Sequence, residues 1–176
     1  MNIDDLKQKI RSIPNFPKQG VVFRDITTLL QDGEAFAKVI DIFYQHYHDK
    51  NINKVVAIES RGFIFGAALA YKMHAAFVPV RKLGKLPGET IKKEYELEYG
   101  VDALEMHRDS VKPGDNVVVI DDLMATGGTL TATCGMVEKL GGKVAGIGVL
   151  IELSFLKGQD KLRNYDYLAL IKYDSE

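Results

Sequence analysis

Two adjacent carboxylates, Asp121 and Asp122, lie just ahead of a loop of small residues, Ala125-Thr126-Gly127-Gly128-Thr129. An ionised carboxylate is a strong hydrogen-bond acceptor. It suits vicinal hydroxyls and repels a polyphosphate. Gly127 and Gly128 let the backbone approach an anion closely, and Thr126 and Thr129 add hydroxyls. A helix starting here turns its free N–H groups and its dipole toward negative charge. Acid pair and loop together predict a sugar-phosphate site, with ribose on Asp121 and Asp122 and phosphate on residues 125–129. The chain has neither G-x-x-x-x-G-K-[ST] nor G-x-G-x-x-G, so this is not a common nucleotide loop.

The flanking residues must hold these groups in place. The β-branched run Val117–Ile120 predicts a buried strand that ends at the acid pair. A helix is expected from about Thr129, with Leu130, Cys134, Val137 and Leu140 on one face, so Cys134 reads as core. A second strand, turn and helix follows the same plan. Strand Asn53–Ile58 breaks at Glu59-Ser-Arg-Gly62, and a helix runs from Phe63 to about Met73. Its turn carries Arg61, whose guanidinium can fork onto phosphate oxygens. Strand Phe77–Val80 leads into a basic, Pro-Gly-rich stretch in which Arg81, Lys82 and Lys85 suit a pyrophosphate.

Charge and apolar character alternate from Thr90 to Gly100, which predicts a two-stranded ribbon and candidate lid. Leu104–Met106 reads as a short strand, Val144–Ile151 as a buried strand with Gly146 and Gly148 allowing close packing, Leu156–Leu162 as a helical turn, and Tyr165–Ile171 as a last strand. Near the start, Asn2 caps a short helix and Pro14 ends it. Asp32 caps a longer helix through about His48. His46 and His48, two apart, read as solvated. Phe23 is either a flat wall for a planar base or a core aromatic.

The alternation predicts an α/β fold: an open, mainly parallel twisted sheet flanked by helices. One domain, 1–176, is expected, with a hood from residues 1–30 and a flexible lid at about 88–100. Lys and Arg number 23 against 24 Asp and Glu, so no basic excess points to nucleic acid or a membrane surface. A single cysteine precludes an internal disulfide and suits a reducing compartment. Met1–Arg11 lacks the apolar core of a signal peptide, and no apolar run is long enough to span a bilayer. The expectation is a cytoplasmic protein.

Val117–Thr129 resembles the phosphoribosyl pyrophosphate (PRPP) signature of the type I phosphoribosyltransferases. Four further segments occur in the order found in the adenine-using branch of that family: Phe16-Pro…Gly20-Val-Val-Phe-Arg-Asp-Ile26, Glu59-Ser-Arg-Gly-Phe63, Val80-Arg-Lys-Leu-Gly-Lys-Leu-Pro-Gly88 and Leu97-Glu-Tyr-Gly100. The resemblance covers nearly the whole chain. It implies transfer of a 5-phosphoribosyl group from PRPP to adenine, giving AMP and pyrophosphate.

Carried over residue by residue, it implies PRPP and AMP contacts from Asp121, Asp122, Ala125, Thr126, Gly127, Gly128, Thr129, Arg61, Arg81, Lys85 and Tyr99. It implies adenine contacts from Val22, Phe23, Arg24 and Leu123. The catalytic groups would be Glu98, exchanging a proton with the base, and Arg61 and Lys85 at the leaving group. It also implies Mg²⁺ held mainly by PRPP and water, a homodimer, and a cis peptide at Glu59–Ser60. Two alternatives remain. A 6-oxopurine transferase commonly has Asp where Ala125 stands. A PRPP-sensing regulator would need a nucleic-acid surface.

Overall fold

The computed structural model describes residues 1–96 and 101–175. Helix α1 (Ile3–Gln8) opens on a reciprocal cap. The Asn2 side chain accepts the Asp5 N–H at 2.9 Å, and the Asp5 carboxylate accepts the Asn2 N–H at 2.7 Å. Strands β1 (Arg11–Pro14) and β2 (Val22–Asp25) pair as a separate antiparallel hairpin. β1 departs from the expectation that Pro14 only ends a helix. Pro14 is the last residue of a strand in a two-stranded sheet, where a missing N–H is tolerated.

After the short α2 (Thr27–Leu30) comes α3 (Gly33–Tyr47), capped by Asp32, whose Oδ1 accepts the Glu34 and Ala35 N–H groups at 3.1 Å. Then come β3 (Lys54–Ile58), α4 (Gly62–Met73), β4 (Ala76–Lys82), β5 (Thr90–Glu96) and β6 (Val101–His107). The chain continues through β7 (Asn116–Met124), α5 (Gly128–Lys139) and β8 (Lys143–Leu153). Two 3-10 turns, Ser154–Leu156 and Gly158–Leu162, lead to β9 (Tyr167–Tyr173).

Seven strands form one sheet in the order β5-β6-β4-β3-β7-β8-β9. The run from β4 to β9 is parallel, and β6 and β5 are added antiparallel at one edge. The fold is therefore the open, mainly parallel α/β sheet that the alternation predicts, and two details differ. The stretch 90–100 does not hold both ribbon strands. Its described part is β5 alone, and its partner is β6, which absorbs the short strand expected at Leu104–Met106; Lys92 stands opposite Glu105. β7 also does not stop at Ile120 but runs through Asp121 and Asp122 to Met124.

The central strands are buried on both faces, which is why they read as unbroken apolar runs. Val55, Ala57, Val118 and Ile120 pack with α3 and α4 residues such as Phe43 and Phe65. Val56, Ile58, Val117 and Val119 pack with α5 residues Leu130, Cys134 and Val137. Burial pushes the Cys134 thiol up to about 12, so it stays protonated and inert. His46 is not merely solvated. Its ring nitrogen lies 3.1 Å from the Asp166 carboxylate, which Lys50 also engages, and this ties α3 to the start of β9. Among the described residues no helix is long and apolar enough to cross a membrane.

β8 carries Gly146 where α3 comes closest. The buried Tyr47 phenol donates to the Ile147 carbonyl at 2.7 Å, and a Cβ on Gly146 would sit 2.3 Å from the Tyr47 ring. Gly146→Ala should therefore destabilise the protein by about 1–3 kcal/mol through overpacking. Thermal unfolding should show a fall of roughly 2–4 °C per kcal/mol; an unchanged melting temperature would mean that α3 is free to retreat.

Candidate functional site

At the carboxyl ends of β3 and β7 the structure forms a cavity of about 230 Å³. Ligands in open α/β sheets bind on this side. One wall is the segment singled out from sequence: Asp121, Asp122, Leu123 and Ala125 through Thr129. The opposite wall is Ile58, Glu59, Lys82, Tyr95 and Leu104.

Asp121 and Asp122 are each only 6% exposed. The Asp122 N–H donates to Asp121 Oδ1 at 2.9 Å. Arg61, at the start of α4, places Nε 2.8 Å from Asp122 Oδ2. This is a charge contact and not a formed hydrogen bond: Oδ2 is buried and has no hydrogen-bond partner. Burial raises Asp121 well above the usual carboxylate range, and the Asp122 charge beside it adds to the effect. Burial also raises Asp122, while Arg61 pulls it back. The pair is thus a costly arrangement with one acceptor unused.

The loop after β7 leads into α5 with Gly127 as N-cap. Gly127 adopts φ +77°, and no side chain caps the helix. The first-turn amides are left without side-chain acceptors, as an anion cradle requires. Packing also demands glycine here, because a Cβ on Gly127 would lie 2.8 Å from the Gly158 carbonyl. Gly158, at the start of the second 3-10 turn, thus backs the loop, a role that spacing in sequence does not reveal. Gly62 is pressed equally close, its would-be Cβ falling 2.8 Å from Asp121 Oδ1.

Three cations at or near this cavity, Arg61, Arg81 and Lys82, are already paired. Arg81 Nε bonds Glu59 Oε2 at 2.6 Å, and its Nη1 donates to the Lys85 carbonyl at 3.3 Å. Lys82 lies 3.1 Å from Asp102, which also accepts the Tyr95 hydroxyl at 3.1 Å. Burial pushes the Tyr95 phenol up to about 12, so it remains a donor. Lys85 is exposed on the loop beyond. The peptide between Glu59 and Ser60 is cis, as the resemblance implies.

The residues expected at the base are only partly gathered. Leu123 lines the cavity, whereas Val22, Phe23 and Arg24 stand on β2 outside its wall. Phe23 connects to it through Arg61, whose guanidinium carbon is 5.2 Å from the ring centre, and Phe16 packs edge-on behind it at 5.2 Å. The Arg24 side chain does not face the site. It stacks on Tyr173 at 3.9 Å and donates to Ser12 Oγ at 2.6 Å, which leaves only its backbone for a base. Glu98 and Tyr99 lie outside the described residues.

A mainly parallel sheet that presents an acid pair and an uncapped helix start in one cavity has the elements of a sugar-phosphate site. Residues 25–172 match the phosphoribosyl transferase domain, and the chain belongs to that family. Several relatives within the family are named adenine phosphoribosyltransferases. The one from Clostridium tetani is 56% identical over 170 residues, 97% of this chain and 99% of its own. The crystal structure of the Thermoanaerobacter pseudethanolicus enzyme superposes with TM-score 0.94 at 50% identity, covering 98% of this chain and all of its own. The Saccharomyces cerevisiae enzyme, crystallised with an imino-altritol bisphosphate and adenine, gives 0.90 at 40%, covering 96% and 97%.

A carboxyl whose folded pKa exceeds its unfolded value costs stability as pH rises through that interval, and costs nothing below it. For Asp121, flanked by Asp122 and Arg61, the cost begins above the ordinary value of 3.8. Asp121→Asn should therefore melt above wild type at pH 8, with the margin shrinking toward zero as pH falls below 3.8. A margin that stayed constant with pH would mean that Asp121 ionises freely.

Proposed function

We propose that this chain transfers the 5-phosphoribosyl group of PRPP to adenine, yielding AMP and pyrophosphate in purine salvage. One observation carries the reading: the buried, unbonded Asp122 Oδ2 beside the uncapped start of α5. An acceptor for a hydroxyl and donors for a phosphate meet in one cavity, and the relatives' shared name supplies the base.

In this reading Asp121 and Asp122 accept the ribose hydroxyls, and the amides of Ala125 to Thr129, with both threonine hydroxyls, hold the 5-phosphate. A ribose hydroxyl takes the place of Arg61 at Asp122 Oδ2. Arg61 then turns to the pyrophosphate, joined by Arg81 and Lys85. The carboxylates beside the sugar and the cations at the leaving group favour the charge separation of an oxocarbenium-like transition state. Adenine enters between Val22–Phe23 and Leu123, where backbone groups from Val22 to Arg24 read its edge. Glu98 exchanges a proton with N7 of the ring. With Ala125 in the loop, proton management falls to Glu98.

The donor set fits Mg²⁺ as an ion borne by the substrate. Asp121 and Asp122 are adjacent to each other, and Asp122 already faces the Arg61 charge. Phosphate and ribose oxygens and water would hold it, and it would neutralise the leaving group. The reading extends to a homodimer in the cytoplasm, with residues 1–30 as a hood and about 88–100 as a lid on a single domain.

Incubated with PRPP, the protein should release pyrophosphate with adenine at a rate at least about 10- to 100-fold above that with hypoxanthine, guanine or xanthine. A 6-oxo edge leaves mispaired buried groups that cost about 1–3 kcal/mol. Preference for a 6-oxopurine would overturn the proposal. Arg61→Ala should weaken PRPP binding roughly 10- to 100-fold, the loss of one charged hydrogen-bond donor, and AMP binding far less. Calorimetry showing equal losses for both ligands would remove Arg61 from the pyrophosphate.

A further inference from the structure

Glu105 on β6 is 3% exposed, and its carboxylate is occupied by residues 85–90. Oε1 accepts the backbone N–H groups of Lys85 and Leu86, each at 2.9 Å, and Oε2 accepts the Thr90 hydroxyl at 3.2 Å. Burial opposes its charge, but the Leu86 and Lys85 amides and the Thr90 hydroxyl prevail, and its pKa lies below the usual glutamate value.

A second carboxylate holds the opposite end of this loop. Glu59, in the cavity wall, accepts the Lys82 N–H on Oε1 at 3.1 Å and pairs with Arg81 through Oε2. Gly84, between the two anchors, and Gly88, within the span that Glu105 holds, take φ +81° and +82° and bend the chain. A basic loop would otherwise sample many conformations, and ordering it on binding would consume affinity. Two buried or half-buried carboxylates impose that order beforehand.

We propose that Glu105 is a positioning residue for the leaving group: it gathers the amides of Lys85 and Leu86 and so fixes the loop that offers Lys82 and Lys85 to pyrophosphate. This inference rests on the transferase reading above. Glu105 itself touches no substrate. A glutamine in its place has one acceptor oxygen instead of two charged ones and cannot serve both the amides and Thr90 with equal strength.

The test is the reverse reaction, AMP plus pyrophosphate, followed for wild type, Glu105→Gln and Thr90→Val. Glu105→Gln should raise KM for pyrophosphate about tenfold, the difference between a charged and a neutral hydrogen bond, and leave KM for AMP unchanged. Thr90→Val should shift the pyrophosphate KM in the same direction by less. If circular dichroism shows Glu105→Gln unfolded, Thr90→Val decides by the same criterion. An unchanged pyrophosphate KM in folded protein, or both KM values rising together as a purely structural role would give, overturns the inference. A wild-type protein that cannot turn over AMP with pyrophosphate, or adenine with PRPP, overturns the transferase reading instead.

Discussion

Two neighbouring carboxylates buried at the tip of a central strand set the terms for everything around them. Asp121 and Asp122 are nearly solvent-free and repel each other. A buried acceptor left without a donor costs about 1–3 kcal/mol, and Asp122 Oδ2 is in that position. The surroundings offset part of this. Arg61 supplies charge, the Asp122 amide supplies a hydrogen bond, and Gly62 lets the start of α4 press against Asp121. What remains unmet is one buried acceptor near the end of a central strand.

The same economy governs the cations. Arg61 faces Asp122, Arg81 faces Glu59, and Lys82 faces Asp102. Anion binding in such a site is an exchange of partners and not a capture by bare charge. Each of these cations is held in a defined direction by its carboxylate.

The sheet was legible because its central strands are buried on both faces, leaving apolar runs punctuated by turns. The sequence places the end of β7 too early for a physical reason: adjacent aspartates normally mark exit from a core, and here pairing with β8 from Asp121 to Met124 carries the strand past them. β1 was hidden by Pro14, whose missing N–H matters only inside a larger sheet. The anion loop announced itself because close backbone approach requires glycine at Gly127. Glu105 and Gly158 carry no such signal, because their importance lies in what distant residues bring to them. Arg24 shows the converse. Its neighbour Phe23 reaches toward the cavity through Arg61, yet its own side chain faces Tyr173.

The strand order leaves β5 and β9 as the outer strands of the seven. Unsatisfied strand borders invite strands from other molecules to add on, the usual route to aggregation. On β9 the deterrent is cover: α1 lies alongside, and Lys7 donates to the Lys172 carbonyl at 2.6 Å. On β5 it is charge, with Lys92, Lys93 and Glu94 all exposed while Ile91 and Tyr95 turn inward. A foreign strand docking there would have to desolvate three ionised side chains in succession. The alternation that marks the ribbon in the sequence therefore also protects the molecule from its own kind.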